Sequence, residues 1–451
     1  MVTEERRGTV GREAGGTVAA AFEPLLRTVL GDAPPVRFEF WDGSAVGAPA
    51  GGGNDDTDDF ADDFTAAPGA IRVRSKDALR RLIWSPGELG LGRAYVTGEL
   101  DIDGNVFDVL GALRDAATNN PDLGIGAAWS ALRVAGRLGS LGRPLPPPPE
   151  EARQRGRLHT KRRDASAISH HYDVGNDFYR LVLGPSMTYS CARFTDPANT
   201  LEQAQSDKCE LISRKLGLAD QPGQRLLDIG CGWGTMALHA AAKHGAKVVG
   251  VTISQAQAEA ARDRAAAAGL SDQVEIRLQD YRDLAGETFD AVSSIGMFEH
   301  VGSARMAEYF ETVRALLRPQ GRLLNHAISS IGGSVMGPRS FIARYVFPDG
   351  ELIDVGDVVL AMERAGFEVR DVESLREHYA LTLRAWVANL ESAWKEAVAL
   401  VGEPRARIWR LYMAASALGF EDGGIGVHQV LGIVPDKAGG SGMPATRRDW
   451  S

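Results

Sequence analysis

Cysteine is scarce in this chain of 451 residues: there are three, Cys191, Cys209 and Cys231. Their spacing matches neither a disulfide framework nor a thiolate metal site, which excludes a cross-linked secreted scaffold and fits a reducing cytoplasm. Positive charge is short too: 50 Lys and Arg stand against 59 Asp and Glu, and the net charge of −9 argues against a general nucleic-acid binder. No run approaches the roughly 18 apolar residues of a membrane-spanning helix, and the opening MVTEERRGTVGREAGG lacks the apolar stretch of a signal peptide. Two catalytic signatures are absent as well. The dinucleotide fingerprint needs a third glycine or alanine at position 235, where Thr235 stands, and the following KVVGVTIS offers Thr252 and Ser254 where an acid would hold a ribose. A nucleophile elbow needs G-x-S-x-G, whereas the glycine turn here reads G-C-G-W-G. Cys231 in that turn therefore reads as a small buried side chain.

What is present centres on Leu226 to Gly234, LLDIGCGWG. Leu226, Leu227 and Ile229 read as a buried strand, and Gly230, Gly232 and Gly234 as a turn whose backbone can approach a nucleotide closely. The G-x-G-x-G form, with no pyrophosphate cradle, suits S-adenosylmethionine; the bland alternative is a structural strand-to-helix turn. Further strands are expected at KVVGVTI, VEIRLQD, FDAVSSIG, RLLNHAI and VHQVLGIV, with helices between them. Ser254 and Gln257 have the spacing of a capping box, and LTLRAWVANLESAWKEAVALVG reads as one long helix. Alternating strands and helices imply an α/β domain with a mostly parallel sheet and its ligand at the strands' carboxyl ends. Candidate site residues fall just beyond those ends: Asp280 and Tyr281, able to hold an adenine or simply to cap a turn; Glu299 and His300; and His326.

Ahead of this domain the pattern is different. Residues 1 to about 20 are expected to be disordered, VRFEFWDGSAVGA to form a hairpin around Asp42-Gly43, and AIRVRS a strand. SKDALRRLIW reads as a helix capped by Ser75, and NVFDVLGALRDAATN as another. GGGNDDTDDFADDF, with six aspartates, reads as a solvated loop. The prolines at 146–149 mark a boundary. Arg153, Arg155, Arg157, Lys161, Arg162 and Arg163 follow it, either as a solvated linker or as a contact for anionic lipid headgroups. The expected layout is an N-terminal domain at 1–145 with a lipid-surface or dimerisation role, a linker at 146–164, a catalytic domain at 165–435 and a flexible tail at 436–451.

HHYDVGNDFY, MTYSCARF, LLDIGCGWG, GVTIS, QDYRD, MFEHVG, NHAIS, RYVFPDGEL and HYALTLRAW occur in this order. Together they resemble the cyclopropane-fatty-acyl-phospholipid synthase family of S-adenosylmethionine-dependent enzymes, densely over about 165 to 435 and loosely before. The resemblance implies a Rossmann-like methyltransferase fold with a seven-stranded sheet and a smaller α+β N-terminal domain. It implies cofactor contacts at Tyr172, Tyr189, Ser190, Asp228, Gly230, Gly232, Gly234, Thr252, Ser254, Gln257, Asp280 and Tyr281. It also implies a bicarbonate ion held by Cys191, Glu299, His326, the backbone of Ile328, and Tyr379. Ser416 stands where some members carry a cysteine, which speaks against a cysteine mechanism there. The implied reaction adds a methyl group to the cis double bond of a phospholipid acyl chain. RYVFPDGEL, LREHYALTLRAW and LYMAASALGF look most like the branch making 10-methylene, tuberculostearic-type products from oleoyl groups; a cyclopropane is the alternative. Implied partners are membrane phospholipid, an anionic bilayer surface at the inner face of the membrane, a flavin- or NADPH-dependent reductase, and a second copy in a homodimer. The rival classes are a small-molecule O- or N-methyltransferase and a silent lipid-binding protein on the same fold.

Overall fold

The computed structural model describes residues 16–49, 67–119, 125–152, 175–284, 286–333, 337, 339–348 and 350–450. The chain divides into two compact units, Met1–Pro148 and Pro149–Ser451, with the cut inside the proline run. The acidic segment at 51–64, the six basic residues at 153–163 and Tyr172 lie outside the described residues.

In the first unit, α1 (Val18–Leu30) begins where disorder was expected, because the Thr17 hydroxyl accepts from Ala20 N and caps it. The hairpin forms as the Asp42-Gly43 turn predicts. Strand β1 (Arg37–Phe40) pairs antiparallel with a two-residue β2 (Ala45–Val46), and Gly43 takes φ 83°. Strand β3 (Gly69–Val73) lies parallel to β1 and antiparallel to β4 (Leu100–Gly104), giving the order β2-β1-β3-β4. Helices α2 (Lys76–Trp84), α3 (Glu88–Val96), α4 (Val106–Asn119) and α5 (Ile125–Arg137) complete the α+β unit. Ser75 caps α2 through Asp77 N, as read.

The second unit is built on a seven-stranded sheet in the order β10-β11-β9-β8-β5-β6-β7. The strands are β5 (Arg225–Ile229), β6 (Lys247–Thr252), β7 (Val274–Leu278), β8 (Phe289–Ile295), β9 (Leu317–Ser330), β10 (Glu368–Ser374) and β11 (Ile425–Ile433). Strand β11 runs against the other six strands, antiparallel to both β10 and β9. The inner strands are near-continuous apolar runs because helices cover both faces. Successive residues feed opposite sides. Leu227 and Ile229 join a core with Phe289, Phe310 and Met362, whereas Leu226 joins one with Ile212, Ala237, Ala240 and Trp450. Parallel β5, β6, β7 and β8 open their carboxyl ends on one edge, where a ligand of this fold class sits.

Three expectations are corrected. The long helix is two: α13 (Arg376–Ser392) and α14 (Trp394–Val401) break at Ala393, where the Ser392 hydroxyl bonds the Asn389 carbonyl locally. The tail at 436–450 is anchored at its end: Trp450 is 4% exposed in the core, and Arg447 pairs with Asp371 at 2.8 Å, while 437–439 and 445–448 stay exposed. The capping box is half made. Ser254 Oγ accepts from Gln257 N, but the Gln257 side chain bonds Thr252 Oγ1 at 2.9 Å in place of the Ser254 backbone.

Candidate active site

At the end of β5, Gly230, Gly232 and Gly234 all have left-handed backbones, φ 71°, 54° and 82°. A Cβ on Gly230 would lie 2.9 Å from Met297 Cγ, so that position is closed to other residues by space as well as conformation. The turn leads into α8 (Thr235–His244) and forms one wall of a cavity of about 160 Å³. Tyr189, Ser190, Asp228, Gly230, Gly232, Thr252, Gln257, Asp280 and Tyr281 line it. Gly234 and Ser254 do not. They cap α8 and α9 (Gln255–Ala267) and so hold the wall in place.

Two buried charges face this cavity. Asp228 Oδ1 accepts from Ser293 Oγ at 2.7 Å, and its Oδ2 has no hydrogen-bond partner. Burial pushes its carboxyl up to about 6, with Lys208 opposing. Lys208, 1% exposed on α7 (Leu201–Leu216), donates to Ser190 Oγ at 2.9 Å. Asp280 both lines the cavity and caps the 3-10 turn Tyr281–Asp283. Its Oδ1 and Oδ2 are gripped by the Arg282 side chain at 2.8 and 2.6 Å.

Beside the cavity stands an aromatic cluster. The Tyr189 ring lies 5.3 Å from Trp386 and 5.7 Å from Tyr179 and from Trp409, and Tyr179 lies 4.7 Å from Trp233. Tyr189 and Tyr412 share a hydroxyl hydrogen bond of 3.1 Å. Burial raises both phenols, Tyr412 to about 12, and the nearby Glu299 adds to the effect on Tyr412. Tyr379 is buried on Phe420, with ring centroids 4.6 Å apart.

Glu299 sits in the short turn after β8 and His326 on β9. Glu299 Oε1 accepts the Ile328 N–H at 2.8 Å, so that backbone group is already used; Glu299 Oε2 is buried without a partner. Burial lifts this carboxyl to about 7 against the pull of the Ile328 N–H. His326 Nδ1 lies 3.2 Å from Gln429 Nε2, and its Nε2 is likewise buried without a partner. Burial first, then Lys208 and Lys215, holds the imidazole neutral, well below its usual range. The Cys191 thiol bonds the carbonyls of Ala192 and Leu375 at 3.1 and 3.5 Å, and burial pushes it far up. A thiol so placed stays protonated and is no nucleophile.

Comparison with known proteins meets this geometry. The family described as "Mycolic acid cyclopropane synthetase" matches residues 159–430. A probable fatty acid methyltransferase, Rv3720 of Mycobacterium tuberculosis, is 42% identical over 92% of this chain and 94% of its own. The chain belongs to the mycolic acid cyclopropane synthetase family. Two further relatives of these enzymes span most of it. Cyclopropane-fatty-acyl-phospholipid synthase of Escherichia coli is 36% identical over 81% of this chain and 88% of its own. Tuberculostearic acid methyltransferase UfaA1 of M. tuberculosis is 33% identical over 95% of both. Among solved structures, mycolic acid cyclopropane synthase CmaA1 complexed with SAH and CTAB matches at TM-score 0.56 and 34% identity, over 60% of this chain and 98% of that one. Fold and enzyme class thus agree with the resemblance read from the motifs.

Several residues around this site escaped the reading of the sequence: Lys208, Met297 and Tyr412 at the cavity or its aromatic wall, and Gln429 behind His326. One signal was available. Lys208 and Lys215 stand seven apart on α7, on the face that also buries Ala204, Leu211 and Ile212, and both are 1% exposed. Two lysines on an apolar helix stripe require buried partners.

Proposed function

We propose that this enzyme transfers the methyl group of S-adenosylmethionine to the cis double bond of a phospholipid-bound unsaturated acyl chain. The observation that carries this is a glycine-turn cavity with Tyr189 and Trp233 in its wall, in a unit that also buries two unpaired polar atoms, Glu299 Oε2 and His326 Nε2. The cavity residues named above would hold the cofactor. The SAH and CTAB in the CmaA1 complex support the pairing, since CTAB is an alkyl-ammonium amphiphile.

An isolated alkene is a weak nucleophile, so alignment and exclusion of water carry much of the catalysis. Tyr189 and Trp233 line the cavity, backed by Tyr179, Trp386 and Trp409, and aromatic faces there would favour positive charge, as at a sulfonium or at the cationic carbon left by methyl transfer. The two orphaned polar atoms fit a small anion with both donor and acceptor oxygens. Glu299 Oε2 would accept from its hydroxyl and neutral His326 would donate from Nε2, with Tyr379 and Cys191 nearby by resemblance. Bicarbonate, when bound there, supplies the base for the proton that the new methyl group must lose. Glu299 and His326 orient that base, and the low polarity around them strengthens each bond.

For the product, we infer a 10-methylene chain from oleoyl groups, which a flavin- or NADPH-dependent reductase would convert to a methyl branch. This draws on the segments RYVFPDGEL, LREHYALTLRAW and LYMAASALGF and on the UfaA1 match along the whole chain. Ring closure to a cyclopropane is the second reading, favoured by the E. coli relative. Substrate would be met at an anionic bilayer surface through the basic residues at 153–163, with the enzyme peripheral at the inner face and dimerisation through the first unit. Among the described residues, no helix is long and apolar enough to cross a membrane. Expression in a host rich in oleoyl phospholipid tests the reading. A gain of one CH2 in its fatty acids shows the activity, and proton NMR separates exocyclic alkene from cyclopropane. Unaltered lipids, with the protein folded and SAH bound, would overturn it.

A further inference from the structure

Away from the cavity, α7 and α8 bring three ligating side chains to one point. His239 Nε2 and His244 Nε2 lie 3.3 and 3.0 Å from the same oxygen, Glu210 Oε2. All three atoms fall within 4.8 Å of one another. We propose that Glu210, His239 and His244 bind a divalent first-row transition-metal ion of the Zn²⁺ type.

The donor set and its spacing argue for this ion. Two imidazoles and one carboxylate, with remaining positions open to water, form a familiar ligand set for zinc and its neighbours. A tetrahedral ion with ligands about 2.0–2.1 Å away places those ligands about 3.3 Å apart, and the two histidine–glutamate distances, 3.3 and 3.0 Å, are close to that. Magnesium and calcium, which prefer oxygen, are selected against.

The surroundings prepare the ligands. Arg214 Nε holds Glu210 Oε1 at 3.0 Å and turns Oε2 toward the imidazoles. His244 is the final residue of α8, where the helix dipole favours a cation. The histidine side chains are about one-tenth exposed, dry enough to strengthen the bonds and open enough for an ion to enter. Such an ion would tie α7, which carries Lys208, to α8, which begins at the glycine turn.

The test uses the full chain, stripped with EDTA and titrated with Zn²⁺ in a calorimeter. Co²⁺ serves as a second probe, since its visible absorption reports tetrahedral coordination. One equivalent of Zn²⁺ should bind and raise the melting temperature. His239→Gln and His244→Gln should each weaken binding by at least about tenfold, and Mg²⁺ should produce no heat. Melting curves in EDTA show that each variant folds; should His239→Gln fail, His244→Gln and Glu210→Gln carry the comparison. Absence of binding, or equal binding by folded variants, overturns the proposal, the latter because the ion is then held elsewhere.

Discussion

Gln429 and His326 face each other in register across β11 and β9, with Gln429 Nε2 3.2 Å from His326 Nδ1. Lys215 Nζ, which can only donate, lies 3.0 Å from Gln429 Oε1 and fixes which way the amide points. The amide nitrogen must then donate, His326 Nδ1 must accept, and the ring proton sits on Nε2. Lys215 is itself anchored by Asp371 at 2.9 Å and by Glu373. Gln429→Leu should therefore lower kcat on the order of tenfold to a hundredfold, the cost of unpairing a buried polar group. Gln429→Glu, similar in volume but without the amide donor, should do the same. The nitrogen chemical shifts of His326 would report the lost tautomer. Full activity in Gln429→Leu would show that the tautomer is set by other means.

Glu299 offers a prediction whose sign is fixed by its environment. Its carboxyl moves from 4.5 to about 7 on folding. Between those values the native state keeps a proton that the unfolded chain has released, so this group's contribution to stability is lost as pH rises through that window. Glu299→Gln removes the ionisation. Urea melts at pH 5 and pH 8 should show the variant gaining on the parent at the higher pH by on the order of 3 kcal/mol. The same variant should form no lipid product while binding SAH nearly as tightly, because Glu299 lies outside the cavity lining. A stability difference that stays flat with pH would contradict the buried, unpaired carboxyl.

Legibility in the sequence followed chemistry type. Strands β5, β6 and β8 could be read because both faces are buried and their apolar runs are nearly unbroken, as in the fully buried Leu226 and Leu227, whereas the edge strand β7 showed through its alternation, with Val274 and Ile276 buried and Glu275 exposed. Strand β10 was missed because EVRDVES alternates polar residues at a sheet edge, with only Asp371 buried. Glu299 could be read as a polar residue beyond a strand end; His326 was read as ending its strand, but β9 runs on to Ser330 and places it inside the ladder opposite Gln429. Lys208, Lys215 and Gln429 could not be read, because lysine and glutamine usually face solvent and only the folded structure shows the partners that let them stay inside. The break at Ala393 depends on a local hydroxyl bond that helical periodicity does not register.

At the glycine turn, shape and strain can be separated. A Cβ on Gly232 would meet nothing within 4 Å, although the backbone sits at φ 54°. Gly232→Ala should therefore cost about 1 kcal/mol in a urea melt, from the left-handed conformation alone. Its effect on SAH affinity should be larger, because the new methyl group stands beside the cavity that Gly232 lines. Calorimetry with SAH measures this directly. A variant equally weakened in folding and binding would place the ligand away from the turn.

The anchored C-terminal segment gives a contrast between burial and charge. Trp450 is 4% exposed, whereas the Arg447 side chain next to it is 65% exposed while pairing with Asp371. Removing a buried indole leaves a cavity and loses transfer free energy, about 3 kcal/mol or more. Arg447 stands largely in solvent, and the buried Asp371 keeps Lys215 at 2.9 Å when Arg447 is lost, so that pair contributes little, within about 1 kcal/mol. Trp450→Ala should thus lower the melting temperature clearly and Arg447→Ala barely. If the two were equal, the segment would be held by its charge to Asp371, and high salt would then release it.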